Sequence, residues 1–175
     1  MEAVGNKNWW ALALNGVIAI LFGILAIFVP SSTILVLGKY FGFVVLLGGL
    51  ILLFVAIRHA KAQKSYAAPL MEALVSIVLG VLIVVYTQKT LEVFVILIGI
   101  WGLLIGGFQL FLVTSIKEPF PGKKIFVFNG ALAVLFGILL FFNPFAAAEF
   151  FTVIIGLIAV MFGVLLLYFA FRIKG

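Results

Sequence analysis

Residues 15–30 read NGVIAILFGILAIFVP, and residues 129–144 read NGALAVLFGILLFFNP. The two stretches share the opening Asn-Gly, the run Leu-Phe-Gly-Ile-Leu and the closing proline, and neither carries a charge. A third stretch between them, EALVSIVLGVLIVVYT at 72–87, follows the same register. It puts Glu72 and Thr87 where the others have asparagine and proline. The three begin 57 residues apart (72 − 15 and 129 − 72). Each is too long and too apolar for an amphipathic helix of a soluble domain. A membrane β-strand would need about 10 alternating residues. Each stretch therefore reads as a transmembrane helix that ends in a turn.

Working outward, the register continues. Gly23, Gly80 and Gly137 form one column. Gly42, Gly99 and Gly156 form a second, and Gly49, Gly106 and Gly163 a third. Residues 9–61 align with 123–175 without a gap, with 16 identities in 53 positions. The chain is thus expected to hold three copies of one helical hairpin, at about 9–61, 66–118 and 123–175. Fixed-period self-similarity of this kind marks a repeat architecture. All three hairpins enter from the same side, so the repeats are parallel and a pseudo-threefold arrangement is expected.

Composition agrees. Of 175 residues, 67% are hydrophobic and 9% charged, with a mean hydropathy of +1.46. Soluble domains have about 25% charged residues. A water-soluble fold of this length could not hide that much apolar surface. Six spans follow, the first within the uncharged run 8–38 and the others at about 39–57, 69–86, 92–115, 125–142 and 149–171. The run 8–38 includes a turn at Pro30-Ser31-Ser32. The start of the chain lacks a strongly basic leader, so the first span is expected to be retained.

Basic residues set the orientation. Lys7, Arg58, Lys61, Lys64, Lys117, Lys123, Lys124, Arg172 and Lys174 fall on the side of the two chain ends, and Lys39 and Lys89 on the other. Both ends are therefore expected in the cytoplasm. Trp9, Trp10 and Tyr66 would sit at the inner interface and Tyr86 at the outer one.

Lipid gives helices little hydrophobic reason to associate, so close approach at small residues matters. The nine column glycines are read as packing positions. The pairs Ala19/Gly23, Ser76/Gly80 and Ala133/Gly137 add small residues at one depth. A thin-walled pathway between helices is the functional alternative to plain packing.

Polar groups inside spans are the first functional candidates. Asn15, Glu72 and Asn129 share a column, a turn or two inside the inner face. A carboxylate between two amides could hold a cation or a proton. The same residues could instead be hydrogen-bond glue, with Glu72 reaching to the interface. Glu92 and Glu149 share an outer column, either as an acidic vestibule or as partners of the helix dipole. Gln109 lies mid-span and reads as a packing group. His59, beside Arg58 and Lys61, reads as a loop residue.

No cysteine and no aspartate occur, and there is one histidine. Thiol chemistry, a Ser/His/Asp set and a multi-histidine metal site are thereby excluded. No glycine-rich phosphate loop follows a strand. No cofactor and no nucleic acid are expected, and the chain is read as a non-enzyme. Lipids are the expected partners, with a homo-oligomer or another membrane protein also open.

The pattern Asn-Gly, then Ala, then Leu-Phe-Gly-Ile-Leu, then Phe and Pro at 15–30 and 129–144 resembles the HdeD family of acid-resistance membrane proteins. The resemblance runs from Trp9 to Lys174, and the middle repeat departs from it at Glu72 and Thr87. It implies a multi-pass protein of a prokaryotic plasma membrane with a role in acid or envelope stress. It carries over no catalytic residue. The alternative is a pathway for a small solute, ion or proton that uses Asn15, Glu72 and Asn129.

Overall fold

A computed structural model describes residues 9–63, 65–116 and 122–174. Lys7, Lys64 and Lys117, three of the basic residues used for orientation, lie outside them. The described chain is helical throughout: α1 (Trp9–Phe28), α2 (Pro30–Lys61), α3 (Ala67–Val85), α4 (Thr87–Ser115), α5 (Lys123–Phe142) and α6 (Pro144–Lys174). All six are long and apolar enough to cross a membrane.

Odd and even helices differ in length. α1 and α5 have 20 residues each, about 30 Å at 1.5 Å per residue. That equals the thickness of a bilayer's hydrocarbon core. α2 has 32 residues, α4 29 and α6 31, or about 44–48 Å. The even helices start earlier than the expected 39, 92 and 149. They begin at Pro30, Thr87 and Pro144, so the turn expected over Pro30-Ser31-Ser32 shrinks to Val29 alone. The reason is that proline breaks a helix interior but suits its first turn, where an N–H has no partner anyway.

The single-residue turns are closed locally. Asn143 Oδ1 accepts the backbone N–H of Ala146 at 3.1 Å, which makes Asn143 the N-cap of α6 with Pro144 in first position. Thr33 Oγ1 donates back to the Val29 carbonyl at 2.9 Å. In the middle repeat Thr87 replaces proline, and its Oγ1 donates to the Ile83 carbonyl at 2.7 Å. That bond satisfies a carbonyl at the end of α3 which would otherwise lack a donor. Before α5, Gly122 adopts φ +90°, a left-handed conformation that glycine enters without cost. Lys123 Nζ then donates to the Ile116 carbonyl beyond α4, at 2.8 Å.

The chain divides into two compact units, residues 1–37 with 149–175 and residues 38–148. In the first unit α1 lies along α6. A methyl group added at Gly16 would stand 2.9 Å from the Gly163 carbonyl oxygen, and one at Gly23 would stand 2.6 Å from that of Gly156. In the second unit α4 and α5 meet in the same way. A methyl group at Gly106 would stand 2.7 Å from the Gly130 carbonyl oxygen, and one at Gly137 would stand 2.8 Å from that of Gly99. Also in this unit, α2 meets α3, with Gly42 against Ile83 and Val84, Gly49 against Ser76 and Ile77, and Gly80 against Leu46.

A single rule covers all three seams. Each odd helix packs on an even helix of a different repeat: α3 on α2, α5 on α4, and α1 on α6. Within the second unit, α3 and α4, which form one hairpin, touch only sparsely. The repeat is a hairpin in chain order, but its tight contacts lie between repeats.

The seams explain which residues are buried. On the even helices the buried residues include three evenly spaced sets, Gly42, Gly49 and Ala56, then Gly99, Gly106 and Val113, then Gly156, Gly163 and Ala170. The spacing is seven residues, the period that keeps one helix face against one partner. No large side chain of the described chain is fully buried. Burial here means small residues that bring backbones together, as membrane helices require.

Candidate functional site

The polar column lies one position before the seam. Asn15, Glu72 and Asn129 each precede a buried small residue, Gly16, Ala73 and Gly130. One residue along a helix is a rotation of about 100°, so the polar side chains stand beside the seam rather than in it. All three are exposed. Among the described residues, none of them makes a hydrogen bond or ion pair with another.

Glu72 has the most developed surroundings. It lines an open groove of about 380 Å³ with Leu52 of α2 and Met71, Val75 and Ser76 of α3. Glu72 and Ser76 are four residues apart, hence neighbours on one helix face. Leu52, Met71 and Val75 supply apolar walls. The equivalent positions on α4 and α5 are Gln109, which is half-buried, and Asn129 and Ala133. Of these two sets of positions, only the one on α2 and α3 holds a carboxylate.

The acids of the second column, Glu92 and Glu149, are used differently from one another. Glu92 pairs within α4, at 2.9 Å from Lys89 Nζ and 3.1 Å from Gln88 Nε2. Gly99 packs at the level of Leu140, so the start of α4 runs past the end of α5 by about 15 Å at 1.5 Å per residue. Gln88, Lys89 and Glu92 all sit on that overhang. Glu149 of α6 instead accepts the hydroxyl of Ser31 on α2 at 2.5 Å, inside the first unit. It thus ties two repeats together, a role that its place in a glutamate column did not reveal.

At the C-terminal end of α2, Arg58 stacks over the Phe54 ring, 5.6 Å from its centroid. With His59 and Lys61 it also places basic groups in the last turn of the helix, where the dipole favours them. His59 is half-buried, and its Nδ1 is buried without a hydrogen-bond partner among the described residues. It is therefore part of α2's packed surface, not a freely solvated loop residue. Ser31, Ser76 and Thr87 carry contacts that sequence reading passed over. Serine and threonine inside apolar segments were the available signal.

The repeat register has an independent counterpart in a comparison with known families. A family model described as a short repeat of unknown function, DUF308, matches residues 14–83, 71–130 and 128–175. The matches begin 57 residues apart (71 − 14 and 128 − 71), each one residue before the polar column. No curated protein matches the chain, and no solved structure does. Matched in three successive segments between residues 14 and 175, the chain belongs to the DUF308 repeat family.

Proposed function

We propose that this is a non-enzymatic multi-pass protein of a prokaryotic plasma membrane that supports survival under acid or envelope stress. Both chain ends face the cytoplasm in this reading, by the distribution of lysine and arginine. It acts through the membrane or through a membrane partner. The observation that carries the reading is the use of polar groups inside the spans. Asn15, Glu72 and Asn129 are exposed beside the seams, and they are offered to the surroundings. The likeness of the asparagine-glycine-proline pattern to HdeD proteins supplies the stress role.

The test is survival of a deletion strain after acid challenge, with and without the gene restored. Restored survival with the wild-type chain is expected, and equally with Lys89→Ala, which alters a surface pair far from the column. Unchanged survival of the deletion strain would overturn the reading.

A second reading, a pathway for an ion or proton, is favoured by the open groove at Glu72. It predicts flux in proteoliposomes that Glu72→Gln abolishes. Absence of flux in the wild-type chain would dispose of it.

A further inference from the structure

The groove at Glu72 presents three features together. Its walls are apolar at Leu52, Met71 and Val75. Its polar groups are a carboxylate and a hydroxyl one helical turn apart on α3. Finally, among the described residues no cation pairs with Glu72; the salt bridge found there joins Lys89 and Glu92.

Depth narrows the ligand. Glu72 is the sixth residue of α3, which begins at Ala67. It therefore lies about 7.5 Å along the axis at 1.5 Å per residue. Side chains of a helix lean toward its N-terminus, so the carboxylate leans back toward that end and the headgroup layer. Seven residues along α2 from Leu52, and so on the same helix face, is His59. Its buried Nδ1 still lacks a partner among the described residues. An uncompensated carboxylate in apolar surroundings is costly, and a cation at the same depth removes that cost.

We propose that this groove binds one membrane lipid with a protonated amine headgroup, such as a phosphatidylethanolamine. Its ammonium donates to Glu72 and Ser76, and an acyl chain lies against Leu52, Met71 and Val75. The ammonium has three donors, and both groups facing it are acceptors. A second copy of the chain fits poorly. A twofold contact places the same patch on both sides, which would set Glu72 against Glu72, and like charges repel. The corresponding amides Asn15 and Asn129 lack the charge, so the expected stoichiometry is one lipid per chain. The inference does not depend on a role in stress.

The test is native mass spectrometry of the delipidated, full-length chain. The probes are phosphatidylethanolamine, its N-acetylated form and phosphatidylglycerol, all with the same acyl chains. One phosphatidylethanolamine should bind at least about tenfold more tightly than the other two, as a charge-assisted hydrogen bond requires. Glu72→Asn installs the residue found in the other two repeats and should remove that preference by weakening phosphatidylethanolamine binding. Ser76→Ala should weaken it about threefold, the loss of one ordinary hydrogen bond. Equal binding of the amine and N-acetyl lipids by the wild-type chain would overturn the proposal without reference to any variant. So would a preference that survives Glu72→Asn. A change in subunit number on Glu72→Asn, with lipid binding unaltered, would assign the groove to a second copy instead. A stress-survival defect or its absence bears on none of these outcomes.

Discussion

Replacing Gly23 by alanine adds one methyl group to the α1–α6 seam. That methyl would stand 2.6 Å from the Gly156 carbonyl oxygen and 2.6 Å from Val160 Cγ2. Relaxed contacts of this kind lie at about 3.5–4.0 Å, so the helices must part locally by about 1 Å. A gap of that size forfeits about a quarter to a half of each neighbouring contact, and overpacking costs about 1–3 kcal/mol. Alanine returns up to about 1 kcal/mol of helix propensity. Gly107 supplies the control, because a methyl group there meets nothing within 4 Å. It gains the propensity term without a clash. Gly23→Ala should therefore be less stable than Gly107→Ala by about 1–3 kcal/mol. The assay is reversible unfolding in mixed micelles with rising SDS fraction, followed by far-ultraviolet circular dichroism and tryptophan fluorescence. Equal midpoints for the two variants would refute the claim that the glycine seams hold the helices together.

Four further outcomes follow from contacts at the helix ends. Asn143→Ala removes the cap on α6 and should destabilise by about 1 kcal/mol in the same unfolding assay. Thr87→Val keeps the shape of a side chain that is 4% exposed but loses the bond to Ile83, so a cost of about 1 kcal/mol is expected. In a double-mutant cycle, Ser31→Ala and Glu149→Ala should show a coupling of about 1 kcal/mol or more, because the acceptor is a carboxylate. The same cycle on Lys89 and Glu92 should give about 0.5 kcal/mol or less, as exposed pairs do.

Much of the architecture was legible in the sequence because packing in lipid leaves a mark in small residues. The columns Gly23/Gly80/Gly137, Gly42/Gly99/Gly156 and Gly49/Gly106/Gly163 all fall on seams. Which helix faces which was not legible. A glycine column has the same period whether its partner belongs to the same hairpin or to another. The starts of the even helices were misjudged because Pro30 and Pro144 read as breaks, whereas proline in first position opens a helix. The orientation of the polar column was within reach, since Asn15 adjoins Gly16 and cannot share its face. The groove at Glu72 was not, since it depends on Leu52 arriving from another helix. Glu92 and Glu149 form one column and do different work, because Lys89 and Gln88 have no counterparts near Glu149.

The single-residue turns bear on how the chain is made. α1 and α2 leave the ribosome as neighbours, yet the seam partner of α1 is α6. Pro144 follows Phe28 by 116 residues (144 − 28). At 5–20 residues per second, about 6–23 s pass before the partner of α1 even begins to be made. Over that interval the glycine strip of α1 lies open to lipid or to any insertion factor that shields it. α3 and α5 wait far less, because α2 and α4 are already in place. The nascent chain is thus most exposed to misassembly at its first helix, and synthesis of α6 is the step that ends the exposure.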